Sequence, residues 1–297
     1  MPLNKTYTKE ELQQLHDTLY EILAEISRVC EKLKIHFFLT GGSVIGAKFW
    51  QGIIAWDDDI DMMMPRGDYE QFCRLWPEQM ADTPYVLCRN DETHFYRSLM
   101  TAVVDTRTTF IKERQADLEI PHGIRVEVFP IDAAPDGKLR RRLQILYALL
   151  YQIYTLNEPP VSRGKLLYVV GRILLAFTPN QRRRYRAARF FERKMSKTPI
   201  TGETRFITEL CSRYHYMRND YPAQAFSGMR RVPFGKGEAP IPVGAETYLT
   251  MAYGSYMELP PKEDQKPKHD ALVVDVEKSY ESYRGTAYPI EYVPPAH

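Results

Sequence analysis

Apolar positions along the first third of the chain alternate between two periods. Leu12, Leu15, Leu19, Ile22, Leu23, Ile26, Val29 and Leu33 recur three and four apart, the stripe of an amphipathic helix. Thr8 followed by Glu11 has the spacing of a capping box, so a helix is expected over residues 9–34. Ile35-His36-Phe37-Phe38-Leu39 is a short apolar run that predicts a strand, and it stops at Gly41-Gly42-Ser43. A helix over 43–51 is expected to open directly after the glycines. A second strand is read from Asp58 to Met63, and Pro65 starts another helix through Phe72 and Leu75. Residues 85–89, 98–105, 107–112 and 123–129 are further strand candidates. Short strands interleaved with helices predict an α/β (α+β) domain, a mixed sheet flanked by helices, over residues 1–137.

Beyond this point the pattern changes. Residues 139–156 and 163–178 read as helices rich in Leu and Tyr, and Arg182-Arg183-Arg184 with Arg186 begins a third. From 220 onward Pro and Gly punctuate the chain, as in PFGKGEAPIP and ELPPKEDQKPKH, which predicts ordered loops with one short helix near 245–253. The expected organisation is therefore a sheet core over 1–137, a basic helical insertion over 138–219, and a loop-rich segment over 220–297 that packs back on the core.

Charge sharpens that division. The 297 residues carry a formal net charge of only +2. Residues 1–137 hold 14 basic and 23 acidic side chains, whereas residues 138–194 hold 14 basic and 2 acidic, a net of +12. Such asymmetry points to an anionic surface or polymer. The basic segment has no nucleic-acid-binding motif and is apolar between its arginines, so nucleic acid is not the expected partner. Its apolar stretches, Leu166-Leu167-Tyr168-Val169-Val170 and Ile173-Leu174-Leu175-Ala176-Phe177, suit an interface with anionic lipid. The competing reading is a helical subdomain that packs those faces onto the sheet. No run of 18 apolar residues exists, so a spanning helix is not expected. MPLNKTYTKEELQQL lacks the apolar centre of a secretory leader. The expected location is cytoplasmic, peripheral on the inner face of a membrane. Four scattered cysteines without a CxxC pair argue against a zinc ribbon or a disulfide scaffold.

The candidate chemistry lies between residues 40 and 61. Gly41, Gly42 and Ser43 sit between a strand and a helix start, where free N–H groups can meet phosphate. There is no GxxxxGK[ST] or GxGxxG, so neither a P-loop nor a dinucleotide fingerprint is present. Asp57-Asp58-Asp59-Ile60-Asp61 lies between apolar stretches. On a strand, Asp59 and Asp61 would share a face about 7 Å apart and could hold hard divalent cations. A solvated acidic turn is the other reading of such a run. Glu127, within Ile124-Arg125-Val126-Glu127-Val128-Phe129, offers a third carboxylate, or an acid paired with an arginine.

LTGGSVIGAKFWQGIIAWDDDIDMMMPRGDYEQF resembles the signature of the LicD family, within the nucleotidyltransferase-fold superfamily, including the spacing from Gly-Gly to Asp-x-Asp. GIRVEVFPID resembles that family's strand ending in Phe-Pro-x-Asp, and YGSYMELPPKEDQKPKH its C-terminal segment. The matches reach from about residue 36 to 269. Glu127 stands where the family more often has Asp, Ala55 replaces a common Pro, and Lys48-Phe49-Trp50 replaces a more basic stretch.

The resemblance implies transfer of phosphocholine, or a related phospho-alcohol as in fukutin-like phosphoribitol transferases, from a CDP-activated alcohol to a hydroxyl of a glycan or lipid-linked glycan. Mg²⁺ or Mn²⁺ would be held by Asp59, Asp61 and Glu127, with Glu127 alternatively deprotonating the acceptor. Gly41, Gly42 and Ser43 would bind the donor phosphates. Trp56, Asp58, Arg97, Lys112 and His269 are candidate substrate contacts, with structural roles open for Arg97, Lys112 and His269. The rival activities are nucleotidyl transfer to a small molecule or sugar, and nucleotide binding without turnover.

Overall fold

The computed structural model describes residues 7–159, 165–267 and 269–290. Helix α1 (Lys9–Leu33) forms where its stripe predicts, and the capping box is complete: Glu11 N–H donates to Thr8 Oγ1 at 3.1 Å and Thr8 N–H to Glu11 Oε2 at 2.8 Å. Leu15, Leu19, Ile22, Leu23, Ile26 and Val29 are buried, each burial stabilising the fold by about 1.5–3 kcal/mol. The helix ends on Lys34 at φ 56°, and Ile35 N–H still bonds Cys30 O at 2.9 Å. That cap occupies the start of the expected first strand, so β1 is only Phe38–Leu39.

Helix α2 (Gly41–Phe49) opens two residues earlier than expected. Strand β2 is Asp61–Pro65, and α3 (Arg66–Gln79) follows with Pro65 at its N-cap. The next strands are β3 (Tyr85–Cys88), β4 (Thr101–Asp105), β5 (Thr109–Lys112) and β6 (Ile124–Ala133). They build a mixed sheet in the order β1-β2-β6-β4-β3, in which β2 and β6 are parallel and the other pairs antiparallel. The expected fold class is observed.

Helices α4 (Lys138–Leu156), α5 (Lys165–Phe177) and α6 (Gln181–Met195) make the basic layer. Ala148, Tyr151, Ile153, Tyr154, Ala188 and Met195 form its buried core, with Tyr154 stacked on Phe191 at 5.9 Å. Strand β7 (Phe206–Thr208) returns to the sheet against the end of β6. Helix α7 (Tyr214–Met217) and strand β8 (Tyr221–Pro222) follow, β8 pairing with β7. The layer leaves Leu139, Leu143, Leu146, Val169, Ile173, Phe177 and Phe190 exposed, Phe177 by 79%. The Leu166 and Leu167 side chains lie outside the described residues. Among the described residues no helix is long and apolar enough to cross a membrane.

The C-terminal part differs from the expected loops. Strands β9 (Met229–Phe234) and β10 (Gly237–Pro242) form a hairpin closed by Gly235 and Lys236, with Gly235 at φ +62°. Helix α8 (Ala245–Tyr253) falls where predicted, and β11 (Ala271–Asp275) pairs antiparallel with β5. Pro233, Pro240 and Pro242 disguised the hairpin as loop. A two-stranded ribbon leaves one side of each strand unpaired, and proline is tolerated there.

Candidate active site

The acidic run sits where β1, α2, β2 and β6 converge. Thr40 N–H bonds Asp61 O at 3.0 Å, and Asp61 N–H donates to Ser43 Oγ at 2.9 Å, so the glycine turn and the acidic strand hold each other. Strand β2 begins at Asp61, and Asp59 lies in the run just ahead of it. That run is still tied to the sheet, since Glu127 N–H bonds Ile60 O at 3.2 Å. Asp61 and Glu127 are register partners on parallel strands, which places their backbones about 4.8 Å apart.

Burial, then the Asp61 and Asp57 charges, push the Asp59 carboxyl well above its ordinary range. Burial, then Glu127 and Asp57, do the same for Asp61. Glu127 moves the other way. Burial opposes its ionisation, but Lys112 Nζ at 2.6 Å from Oε1, with His269 and Arg125, holds it well below its usual value. Lys112 is thus the counter-ion of Glu127. A carboxylate held so firmly ionised is suited to ligating a cation and is a weak proton acceptor, which narrows the two roles left open for it.

His269 lies on the same side. Its Nδ1 is 2.8 Å from Asp58 Oδ1 and its Nε2 3.5 Å from Asp59 Oδ2. Burial opposes its protonation, but the bond to Asp58 and the charges of Asp59 and Asp58 outweigh burial, so its pKa is raised. Asp58 is almost completely buried, with His269 as its partner. One potential ligand atom each from Asp58, Asp59 and His269 lies within 4.8 Å of the others. Asp58, Asp59, Phe110, Lys112, Arg125, Glu127 and His269 line one small cavity together with Leu19 and Ile124.

The other candidates divide. Gly41 adopts φ +55°, and a Cβ there would meet the Tyr253 hydroxyl at 2.9 Å; its N–H already donates to Tyr248 Oη at 3.2 Å. A Cβ on Gly42 would meet Asp57 Oδ2 at 3.1 Å. The Ser43 oxygen is engaged by Asp61, so the residue positions β2 as well as facing the turn. Trp56 packs edge-on against Trp50 at 5.5 Å. Arg97 is committed elsewhere: it grips Asp117 through two bonds of 2.7 and 2.8 Å and approaches Glu158. Arginine on a loop gives no hint of its partner until the fold is known.

Sequence reasoning missed Glu209, directly after β7. Its charge acts on Asp61 and Tyr253, and it lies against Tyr221 and Tyr248. A single acid in FITELC carries no motif; only the pairing of β7 with β6 brings it here.

Residues 34–126 match the family model described as LicD/FKTN/FKRP, nucleotidyltransferase domain. That span holds the glycine turn and both Asp59 and Asp61. This span is similar to LicD-type nucleotidyltransferase domains. The lipopolysaccharide cholinephosphotransferase LicD of Haemophilus influenzae is 27% identical to the chain over 262 residues, which cover 84% of the chain and 92% of that protein. The LicD similarity therefore extends past the matched domain into the helical layer and the C-terminal strands.

Among the described residues, the acids and histidines whose potential ligand atoms come within 4.8 Å of one another are Asp58, Asp59 and His269; Asp61 and Glu127, though register partners, are not in that group. Asp59 and Asp61 are part-buried and crowded by other acids; His269 Nε2 is 3.5 Å from Asp59, and the Lys112 charge acts on Asp61 against burial and Glu127.

Proposed function

We propose that the protein is a metal-dependent phosphotransferase that moves phosphocholine, or a closely related phospho-alcohol, from a CDP-activated donor to a hydroxyl of lipopolysaccharide or a similar glycan. The observation that carries this reading is the pairing of Asp61 with Glu127 across β2 and β6, with Asp61 tied to the Gly41-Gly42-Ser43 turn inside the span similar to LicD-type domains and Glu127 one residue beyond it. In the transfer, an acceptor oxygen bonds to the phosphorus that bears the alcohol. The bond from that phosphorus to the CMP oxygen breaks, CMP leaves with the electron pair, and the acceptor proton is released.

Asp59, Asp61 and Glu127 would hold Mg²⁺ or Mn²⁺. The ion supplies charge neutralisation for the diphosphate and its CMP leaving group. The chain's own residues do the rest. Lys112 keeps Glu127 ionised, and His269 neutralises Asp58 so that the acidic run can stay folded at close quarters. Helix α2 directs its N-terminal end, starting at Gly41, toward the turn that faces the donor phosphates. The Gly41 N–H is taken by Tyr248 and the Ser43 N–H by Thr40 O at 3.0 Å, so the Gly42 N–H and the Ser43 hydroxyl are assigned to phosphate.

The exposed apolar side of α4, α5 and α6 is assigned to an anionic membrane surface on the cytoplasmic side, where lipid-linked acceptors are presented. Arg182 and Arg186 are each about 60% exposed and flank it, although both also pair with Glu92.

Incubation with CDP-choline, CDP-ethanolamine, CDP-glycerol or CDP-ribitol and a glycan acceptor tests the activity. Acceptor-dependent CMP release with Mg²⁺ supports it. Pyrophosphate release from CTP with NMP left on the acceptor would replace it with nucleotidyl transfer.

A further inference from the structure

The acidic groups around Asp61 are unequally compensated. Glu127 has Lys112 and Asp58 has His269. Glu209 has neither. Its Oε1 is enclosed and accepts no hydrogen bond among the described residues. The groups that act on its ionisation are burial and two tyrosine hydroxyls, with no lysine, arginine or histidine among them.

What surrounds it is aromatic. Tyr221 and Tyr248 approach the carboxylate, and their rings pack at 5.2 Å. Tyr253 feels both Glu209 and Asp61, and its ring packs against Tyr216 at 5.7 Å. Tyr221 and Tyr248 are almost fully buried, whereas Tyr253 is 39% exposed, so the cluster opens to solvent on the Tyr253 side. The same tyrosines touch the phosphate turn: Tyr248 Oη takes the Gly41 N–H, and the Tyr253 hydroxyl stands over Gly41.

A carboxylate shielded from water needs a cation or a proton. Burial pushes the Glu209 carboxyl up to about 7, so the proton is readily displaced near neutral pH. A metal ion would want several oxygen ligands at fixed distances. Tyrosine rings and one carboxylate instead suit a large, weakly hydrated organic cation. On the phosphocholine reading above, we infer that Glu209 with Tyr216, Tyr221, Tyr248 and Tyr253 forms the pocket for the quaternary ammonium of the donor. The ammonium would sit on one side of Asp61, and the donor phosphates would run over the Gly41-Gly42-Ser43 turn toward Asp59 and Glu127.

The test compares the wild-type chain with Glu209→Gln, Tyr253→Leu and Tyr253→Phe. Binding of free phosphocholine is followed by calorimetry, and KM and kcat for CDP-choline by CMP release. Circular dichroism checks the fold of each variant. Glu209→Gln and Tyr253→Leu should weaken phosphocholine binding and raise KM for CDP-choline about tenfold or more, with kcat changed less than threefold. Tyr253→Phe keeps the ring and should bind as the wild type does. The affinity for CDP, which lacks the ammonium, should be unchanged throughout. Unchanged phosphocholine affinity in Glu209→Gln, or no phosphocholine binding by the wild type, overturns the pocket. If the wild type binds phosphocholine through Glu209 yet releases no CMP from CDP-choline, the transfer reading fails and the pocket stands.

Discussion

Replacing Asp61 by Asn should make the metal-free protein more stable while abolishing its activity. Asp59 and Asp61 are two residues apart in extended chain, about 7 Å between backbones. At an effective dielectric constant near 20, two full charges at that separation repel by about 2 kcal/mol. Glu127, the register partner of Asp61, adds to this, but Lys112 at 2.6 Å offsets most of its contribution. Part of the repulsion is already relieved by protonation, because the folded chain raises both aspartate pKa values. The gain expected for Asp61→Asn in EDTA at pH 8 is therefore about 1–2 kcal/mol.

The pH dependence has a definite sign. A carboxyl whose folded pKa lies above its unfolded value keeps its proton longer in the folded state. Stability is then fully present below the unfolded value, and it is lost as pH rises through the folded one. The wild type in EDTA should lose stability from pH 5 to pH 8, and Asp61→Asn should lose less. Urea titrations at the two pH values, with EDTA or with excess Mg²⁺, supply the measurement. Mg²⁺ should stabilise the wild type and leave Asp61→Asn nearly unmoved, while transfer falls at least about a hundredfold, the order expected for a charge-stabilising group. A variant destabilised by more than about 1 kcal/mol in EDTA at pH 8 would refute the claim that this carboxylate is held against repulsion.

Glu127→Gln should likewise remove most transfer, and Glu127→Asp should retain a measurable part; equal kcat in wild type and Glu127→Gln would exclude it from the site. Lys112→Met leaves Glu127 without its counter-charge, so the folded protein should weaken by about 1–3 kcal/mol in a urea titration at neutral pH, with recovery at acid pH. Arg66 bonds Asp132 at 2.8 and 2.7 Å and Glu192 at 2.9 Å, both acids being nearly fully buried. Arg66→Met should therefore cost about 3–5 kcal/mol by urea unfolding, and a loss under 1 kcal/mol would show that the network tolerates an unpaired acid. Flotation with anionic liposomes should retain the protein at low salt and release it at high salt. Equal retention after neutralising Arg182, Arg183, Arg184 and Arg186 would remove the membrane role.

The α-helical stripe from Leu12 to Leu33, the capping box and the strand-turn-helix around Gly41 were legible in the sequence because local interactions determine them. The boundaries that moved did so for non-local reasons. The Lys34 cap shortened β1, and the parallel pairing with β6 decided where β2 begins. Asp59, Asp61 and Glu127 were legible as candidate charges, but the cations beside them were not. Lys112 and His269 are brought in by the pairing of β5 with β11, where Ala271 lies opposite Lys112 and His269 lies two residues before Ala271. That pairing joins segments some 160 residues apart, and no local pattern announces it.

The distribution of counter-charge then says more than the acids themselves. Asp57, Asp58, Asp59, Asp61, Glu127 and Glu209 would not share one region of an ordinary core, since each uncompensated carboxylate there is costly. Lys112 serves Glu127 and His269 serves Asp58, and these two residues line the same cavity. Among the described residues no lysine or arginine forms an ion pair with Asp59, Asp61 or Glu209, and Asp59 meets only the far nitrogen of His269 at 3.5 Å. The two deficits differ in kind. Around Asp59 and Asp61 the neighbours are further carboxylates and the His269 imidazole, a set that would suit a metal ion. Around Glu209 they are tyrosines, the environment of an organic cation. A donor whose diphosphate needs the first and whose alcohol carries the second would satisfy both deficits at once, and the turn at Gly41, Gly42 and Ser43 touches both groups, through Tyr248 on Gly41 and Asp61 on Ser43.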